Sequence, residues 1–107
     1  MAKVVWTEPA LSDLNEIAEY ISLDNFRAAQ NLIKKVFSTT DLLESSPEMG
    51  RRPPELPHTS YKKLIVAPCR IFYRIHDDET IIYIIFVMRS ERSLNQYLLD
   101  QRQPDIL

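Results

Sequence analysis

Between Tyr61 and Arg92 the chain reads YKKLIVAPCRIFYRIHDDETIIYIIFVMRSER. It gathers Lys62, Lys63, Arg70, Tyr73, Arg74, Arg89 and Arg92 into three β-type runs and the residues just after them. Cations and a phenol in such proximity suit work on a polyanion. In metal-free RNA cleavage one group takes the proton from a 2′-hydroxyl, cations stabilise the pentavalent phosphorane, and another group protonates the leaving 5′-oxygen. The same residue types also decorate exposed sheet faces with no chemical role, so catalysis and plain binding both stay open here. Other chemistries are excluded more firmly. Gly50 is the only glycine, which rules out a glycine-rich phosphate loop. His58 and His76 have no His or Cys partners at metal-ligand spacing. No serine or cysteine stands in a nucleophile motif. Neither a metal nor any other cofactor is expected.

Charge adds direction. The formal net charge of −2 divides unevenly: residues 1–50 hold eight acids against four bases, and residues 51–107 nine bases against seven acids. Between Arg51 and His76 six bases face one acid, Glu55. A local positive field attracts anionic partners even in an acidic chain, while tight non-specific nucleic-acid binding usually needs a strongly basic domain. A chain of 107 residues forms one domain burying roughly 65% of its unfolded surface. The single cysteine, Cys69, excludes an intrachain disulfide and fits a reducing compartment. With no signal-peptide pattern at MAKVVWTEPA and no apolar run near the roughly 20 residues a bilayer needs, a cytoplasmic location is expected.

The elements that position these side chains follow from periodicity. Residues 1–6 read as an opening strand. Thr7 caps a helix whose stripe is Ala10, Leu11, Leu14, Ile17, Ala18 and Ile21, with Asp13, Glu16 and Glu19 assigned to an acidic outer face. Asp24 or Asn25 caps a second helix carrying Ala29, Leu32, Ile33, Val36, Phe37, Leu42 and Leu43. The short connection makes residues 8–45 an antiparallel helical hairpin. Residues 46–60 form a stiff loop with Pro47, Pro53, Pro54 and Pro57. The sheet spans residues 61–89: strands Lys62 to Ala67, Cys69 to His76 and Thr80 to Met88, with a corner at Pro68 and a turn at Asp77-Asp78-Glu79. Alternation in the middle strand predicts one face covering the helices and another displaying Arg70, Phe72, Arg74 and His76. The third strand, apolar on both faces, suits a central position. Residues 90–101 read as a short C-terminal helix with Leu94, Tyr97 and Leu98 as its stripe, and Gln101 to Leu107 as a frayed tail. The fold class is α+β: an N-terminal strand, an antiparallel helical hairpin packed on a small, twisted, mainly antiparallel sheet, and a short C-terminal helix.

In this order, WTEPALSDLNEIAEYIS, DNFRAAQNLIKKVFSTTDLLESSPEMGR and the CRIFYRI-turn-apolar strand pair resemble the RelE/ParE superfamily of toxins from bacterial type II toxin–antitoxin modules. The similarity covers about residues 3 to 98. RelE-like members are ribosome-dependent mRNA endonucleases that use lysines, arginines and a C-terminal tyrosine. The resemblance places Lys62, Arg70, Arg89 and Tyr97 on or near those positions. Leu64 stands where a second lysine is expected, and Ser90 where an arginine is expected. Losing one transition-state cation typically costs about 10²–10³ in rate. ParE-like members lack that set and poison DNA gyrase by binding.

The Trp6-Thr7 start and the DNFRAA entry to the second helix look like the ParE branch. The resemblance therefore implies a growth-arresting toxin of a plasmid-maintenance type, a DNA gyrase inhibitor neutralised by a cognate antitoxin in a toxin–antitoxin hetero-oligomer. The alternatives are a RelE-like ribosome-dependent mRNA endonuclease acting on ribosome and mRNA, or a non-toxic binding module. Tyr20, Phe26, Arg70, Arg74, Arg89, Arg92, Leu94 and Tyr97 are the expected contacts for antitoxin or target, whereas Leu32 is assigned to the core.

Overall fold

The computed structural model describes residues 2–54, 60–76, 81–91 and 101–102. Its elements are β1 (Lys3–Trp6), α1 (Glu8–Ser22), α2 (Phe26–Asp41), two single 3₁₀ turns (Leu42–Glu44 and Pro47–Met49), β2 (Tyr61–Val66), β3 (Cys69–His76) and β4 (Ile81–Arg89). Two helices pack on a four-stranded sheet of order β1-β4-β3-β2. The β2–β3 and β3–β4 pairs are antiparallel, and β1 lies parallel to β4. This is the expected α+β architecture.

Local signals account for the boundaries. Thr7 caps α1, its hydroxyl accepting from the Ala10 N–H at 3.4 Å and donating to the Ile84 carbonyl at 2.8 Å. One side chain thus starts the helix and ties it to β4. Asn25 caps α2 by accepting from the Ala28 N–H at 3.0 Å. A helix of α1's length is marginal alone, so its buried stripe, Ala10, Leu14 and Ala18, supplies most of its stability through packing. Leu11, assigned to that stripe, is 42% exposed. It follows Ala10 by 100° of helix rotation and so falls on the solvent side. Leu32 is buried as expected, and so is Thr40, whose hydroxyl donates back to the Phe37 carbonyl at 3.2 Å. Trp6 packs on Phe37 with ring centroids 4.9 Å apart, joining β1 to α2.

The core has two parts. On the helix side lie Leu14, Leu32, Val36, Leu43, Leu64, Val66, Ile71, Tyr73, Ile82, Ile84 and Val87. On the far side a smaller cluster holds Tyr61, Phe72, Tyr83, Ile85, Phe86 and Met88. Strand β4, apolar on both faces, supplies both, and its register slips opposite Phe72/Tyr73: Phe72 pairs with Phe86, but Tyr73 pairs with Ile84. The extra residue, Ile85, is a bulge. It puts Tyr83, Ile85, Phe86 and Met88 on one face and Ile82, Ile84 and Val87 on the other.

The far face therefore departs from the open cationic platform expected of it. Phe72 is fully buried and Arg70 only 7% exposed, because β3 is an interior strand with a filled face on each side. Among the described residues no helix is long and apolar enough to cross a membrane.

Candidate functional site

The loop after α2 shows how the sheet holds its surroundings. Pro47 opens a 3₁₀ turn, and the buried Tyr73 hydroxyl donates to the Pro47 carbonyl at 2.8 Å while accepting from the Gly50 N–H at 2.8 Å. Burial, the larger effect, pushes the Tyr73 phenol up to about 12 against a lowering by the Gly50 N–H. Tyr73, counted among the hydroxyls available for proton transfer, is a strut for the loop instead. Arg51 then makes an isolated bridge to Lys63 at the outer edge of β2.

The cations separate by face. Leu64 and Val66 belong to the helix-side core, so strand alternation puts Lys62 on that side, where it pairs with Glu48 at 3.0 Å. Arg70 lies on the far side, its guanidinium 5.4 Å from the Phe72 centroid and Nη2 3.8 Å from Met88 Sδ. Arg74 shares that face, opposite Tyr61, and is half-buried. Arg89, opposite Cys69, returns to the helix side, with its guanidinium 5.8 Å from the Tyr20 ring and Nε 2.7 Å from Glu91 Oε1. That hydrogen bond is the main reason the Glu91 carboxyl is lowered and the Arg89 guanidinium raised. Lys62 and Arg89 stand two strands and four residues apart, roughly 15 Å by strand geometry. The structure thus brings Tyr20 and Arg89 together, but it converges neither Lys62 nor Arg70 on them. Arg92, Leu94, Tyr97 and most of the expected C-terminal helix lie outside the described residues. Burial pushes the Cys69 thiol up, the larger effect against Arg89, in keeping with a packing role.

The α1–α2 connection carries the apolar exposure. Tyr20, Leu23 and Phe26 are 67%, 85% and 66% exposed. Tyr20 and Leu23 line a cleft of about 600 Å³ whose walls also include Ile21, Ala28 and Arg89. A second cleft, about 300 Å³, runs between α1 and the end of β4 and is lined by Asp13, Ile17, Phe86, Met88, Arg89 and Arg102.

Asp13 corrects its assignment to the outer face. β1 stops pairing at Ile84, which leaves the next part of β4 with an open edge. The Asp13 carboxylate accepts the Val87 N–H there at 3.1 Å. It also holds Arg102 through two contacts of 2.6 and 3.2 Å, and Arg102 stacks 4.3 Å from the Phe86 centroid. Arg102, placed in a frayed tail by its sequence position, is tied down. The signal for Asp13 was present: it lies three residues after Ala10 and four before Ile17, on the flank of the buried stripe. For Arg102 no sequence signal exists.

The sequence pattern described as "ParE toxin of type II toxin-antitoxin system, parDE" matches residues 4–94. This protein belongs to the ParE toxin family. As a toxin of the ParE/RelE superfamily it is 32% identical over 92 residues to "Toxin RelE2" of Caulobacter vibrioides, covering 86% of this chain and 99% of that one. It is also 32% identical over 96 residues to "Putative toxin Y4kP" of Sinorhizobium fredii, covering 90% of this chain and 96% of that one. Its fold matches the chromosomal ParDE toxin–antitoxin system of P. aeruginosa with a TM-score of 0.69 at 23% identity, over 85% of this chain and 98% of that one. These relationships make the chain a type II toxin of the ParE/RelE superfamily.

Proposed function

We propose that this toxin arrests growth by binding DNA gyrase, within one toxin domain of residues 1–107, and that its antitoxin relieves the block. The observation that carries the reading is the dispersal of the cations. A phosphorane needs its stabilising charges about 3 Å from the reacting oxygens, yet Lys62, Arg70 and Arg89 occupy two faces and distant ends of one sheet. Arg70 is spent on packing against Phe72 and Met88. What the molecule offers outward is the hairpin tip with Tyr20, Leu23 and Phe26, a surface suited to a protein target. The choice of gyrase comes from the ParE family match.

The competing reading is mRNA cleavage on the ribosome, favoured by the relative named RelE2. The deciding experiment is supercoiling of relaxed plasmid by gyrase with the purified toxin. Inhibition with trapped cleaved DNA, reversed by the antitoxin, is expected. Normal supercoiling by gyrase in the presence of a folded toxin that still stops growth would overturn the proposal and direct attention to the ribosome.

A further inference from the structure

Strand β1 stops pairing at Ile84, and along the rest of that edge β4 has α1 beside it in place of a strand. One polar cluster sits on this seam, and the gyrase reading makes no use of it. The Asp13 carboxylate is set by the strand itself, its Oδ2 accepting the Val87 N–H at 3.1 Å. The same carboxylate receives the Arg102 guanidinium as a fork, Nη1 to Oδ2 at 2.6 Å and Nη2 to Oδ1 at 3.2 Å. The Phe86 ring, with its centroid 4.3 Å from the guanidinium carbon, supplies a third contact. A carboxylate that meets a fork and a ring face that meets a plane together favour a guanidinium over an ammonium.

Arg102 fills this place without belonging to the core. Among the described residues, its hydrogen bonds and its ring contact all go to Asp13 and Phe86. The side chains of Arg102 and Asp13 keep 27% and 15% of their exposure, so the pair still meets solvent. A cleft of about 300 Å³ stays open beside it, with Glu16 and Ile17 of α1 and Met88 of β4 in its walls. The other cation there, Arg89, is already bonded to Glu91 at 2.7 Å. Once Arg102 leaves, the charge not yet paired in the cleft is that of Asp13 and Glu16, both negative. We infer that Asp13, Phe86 and the Val87 N–H form a guanidinium socket in which Arg102 is a replaceable occupant. An arginine presented by a partner protein takes its place, docking at the α1–β4 seam and releasing Arg102. A lysine is a poor substitute, because its ammonium offers neither the fork nor the flat face. The inference stands apart from the choice between gyrase and ribosome.

The test is titration of the full chain with N-acetyl-arginine amide, followed by NMR at the Val87 amide and the Phe86 ring, with N-acetyl-lysine amide at equal ionic strength as control. In Arg102→Ala the arginine compound should bind saturably, with half-saturation at roughly 1–30 mM from charge-assisted hydrogen bonds. The parent should bind it at least about three-fold more weakly, because tethered Arg102 competes at a millimolar effective concentration. Arg102→Lys keeps the charge and guards against a fold lost in the alanine variant; it should bind the arginine compound more tightly than the parent does. Asp13→Asn in the Arg102→Ala background should abolish the response. A folded Arg102→Ala protein with no saturable shift would overturn the inference, as would equal responses to the arginine and lysine compounds. Equal affinity in the parent and Arg102→Ala would show that Arg102 does not hold the socket and would overturn it too. Dimers of the parent that vanish in Arg102→Ala would overturn the assignment of Arg102 to its own chain's socket.

Discussion

Replacing Gly50 with alanine tests the link between the loop and the sheet. Gly50 has φ −74° and ψ 170°, a conformation open to every residue, so its identity is not demanded by torsion. Space demands it: a Cβ there would sit 2.6 Å from the Tyr73 hydroxyl, 2.7 Å from Tyr73 Cε1 and 2.7 Å from the Lys63 carbonyl oxygen. The carbonyl belongs to strand β2 and is held by the Arg51 N–H at 2.9 Å, and the ring is fully buried, so neither yields cheaply.

Moving Tyr73 would forfeit its hydrogen bonds with Gly50 and Pro47, about 1 kcal/mol each. The overpacking adds about 1–3 kcal/mol. Gly50→Ala should therefore destabilise the toxin by about 3–5 kcal/mol and lower its melting temperature by on the order of 10–20 °C, read by circular dichroism and urea unfolding. Tyr73→Phe alone should cost about 1–3 kcal/mol through the two buried groups it leaves unmatched. The double variant should cost less than the sum, because removing the hydroxyl also removes the closest clash. A Gly50→Ala protein within about 0.5 kcal/mol of the parent, or strictly additive costs, would refute the reasoning.

Two further outcomes follow from the same contacts. The Tyr73 phenol, raised in the fold from an ordinary value near 10 to about 12, favours the folded state while it stays protonated. Its contribution is complete below pH 10 and is lost as pH rises from 10 through 12, so alkaline unfolding should steepen in that window and flatten in Tyr73→Phe. Asp13→Ala removes the acceptor for the Val87 N–H and the anchor of Arg102. It should cost about 1–3 kcal/mol and speed exchange of the Val87 amide, whereas Glu16→Ala on the neighbouring position should change neither.

The sequence made some of this legible and hid the rest for identifiable reasons. Thr7 announced one helix start and the Asp24-Asn25 pair the other, because a cap needs one side chain next to its own backbone, a purely local arrangement; that Asn25 and not Asp24 is the cap came from the structure. Leu32 and Val36 read as core because their period matched the helix. The bulge at Ile85 was invisible, since IIYIIFVMR is apolar throughout and a slip of one residue leaves no polar residue out of place. Arg70 misled because alternation assigns a face without saying whether that face is covered. Strand β3 lies between two others and has apolar packing on both sides. The candidate site divided in the same way. Tyr20 and Phe26 are exposed as their flanking positions suggested, whereas the separation of Lys62 from Arg70 appears only once the pairing register is known.

The parallel pairing of β1 with β4 joins residues 3–6 to residues 81–84. Strand β1 thus waits for β4 to be made before it has a neighbour, and contacts so far apart in sequence form slowly. The helical hairpin assembles early from local contacts, while the sheet that presents Arg89 and the β2 edge closes only after nearly the whole of the described chain has been made. In a nascent copy the exposed hairpin tip with Tyr20, Leu23 and Phe26 therefore takes shape before Arg89 can be set beside Tyr20.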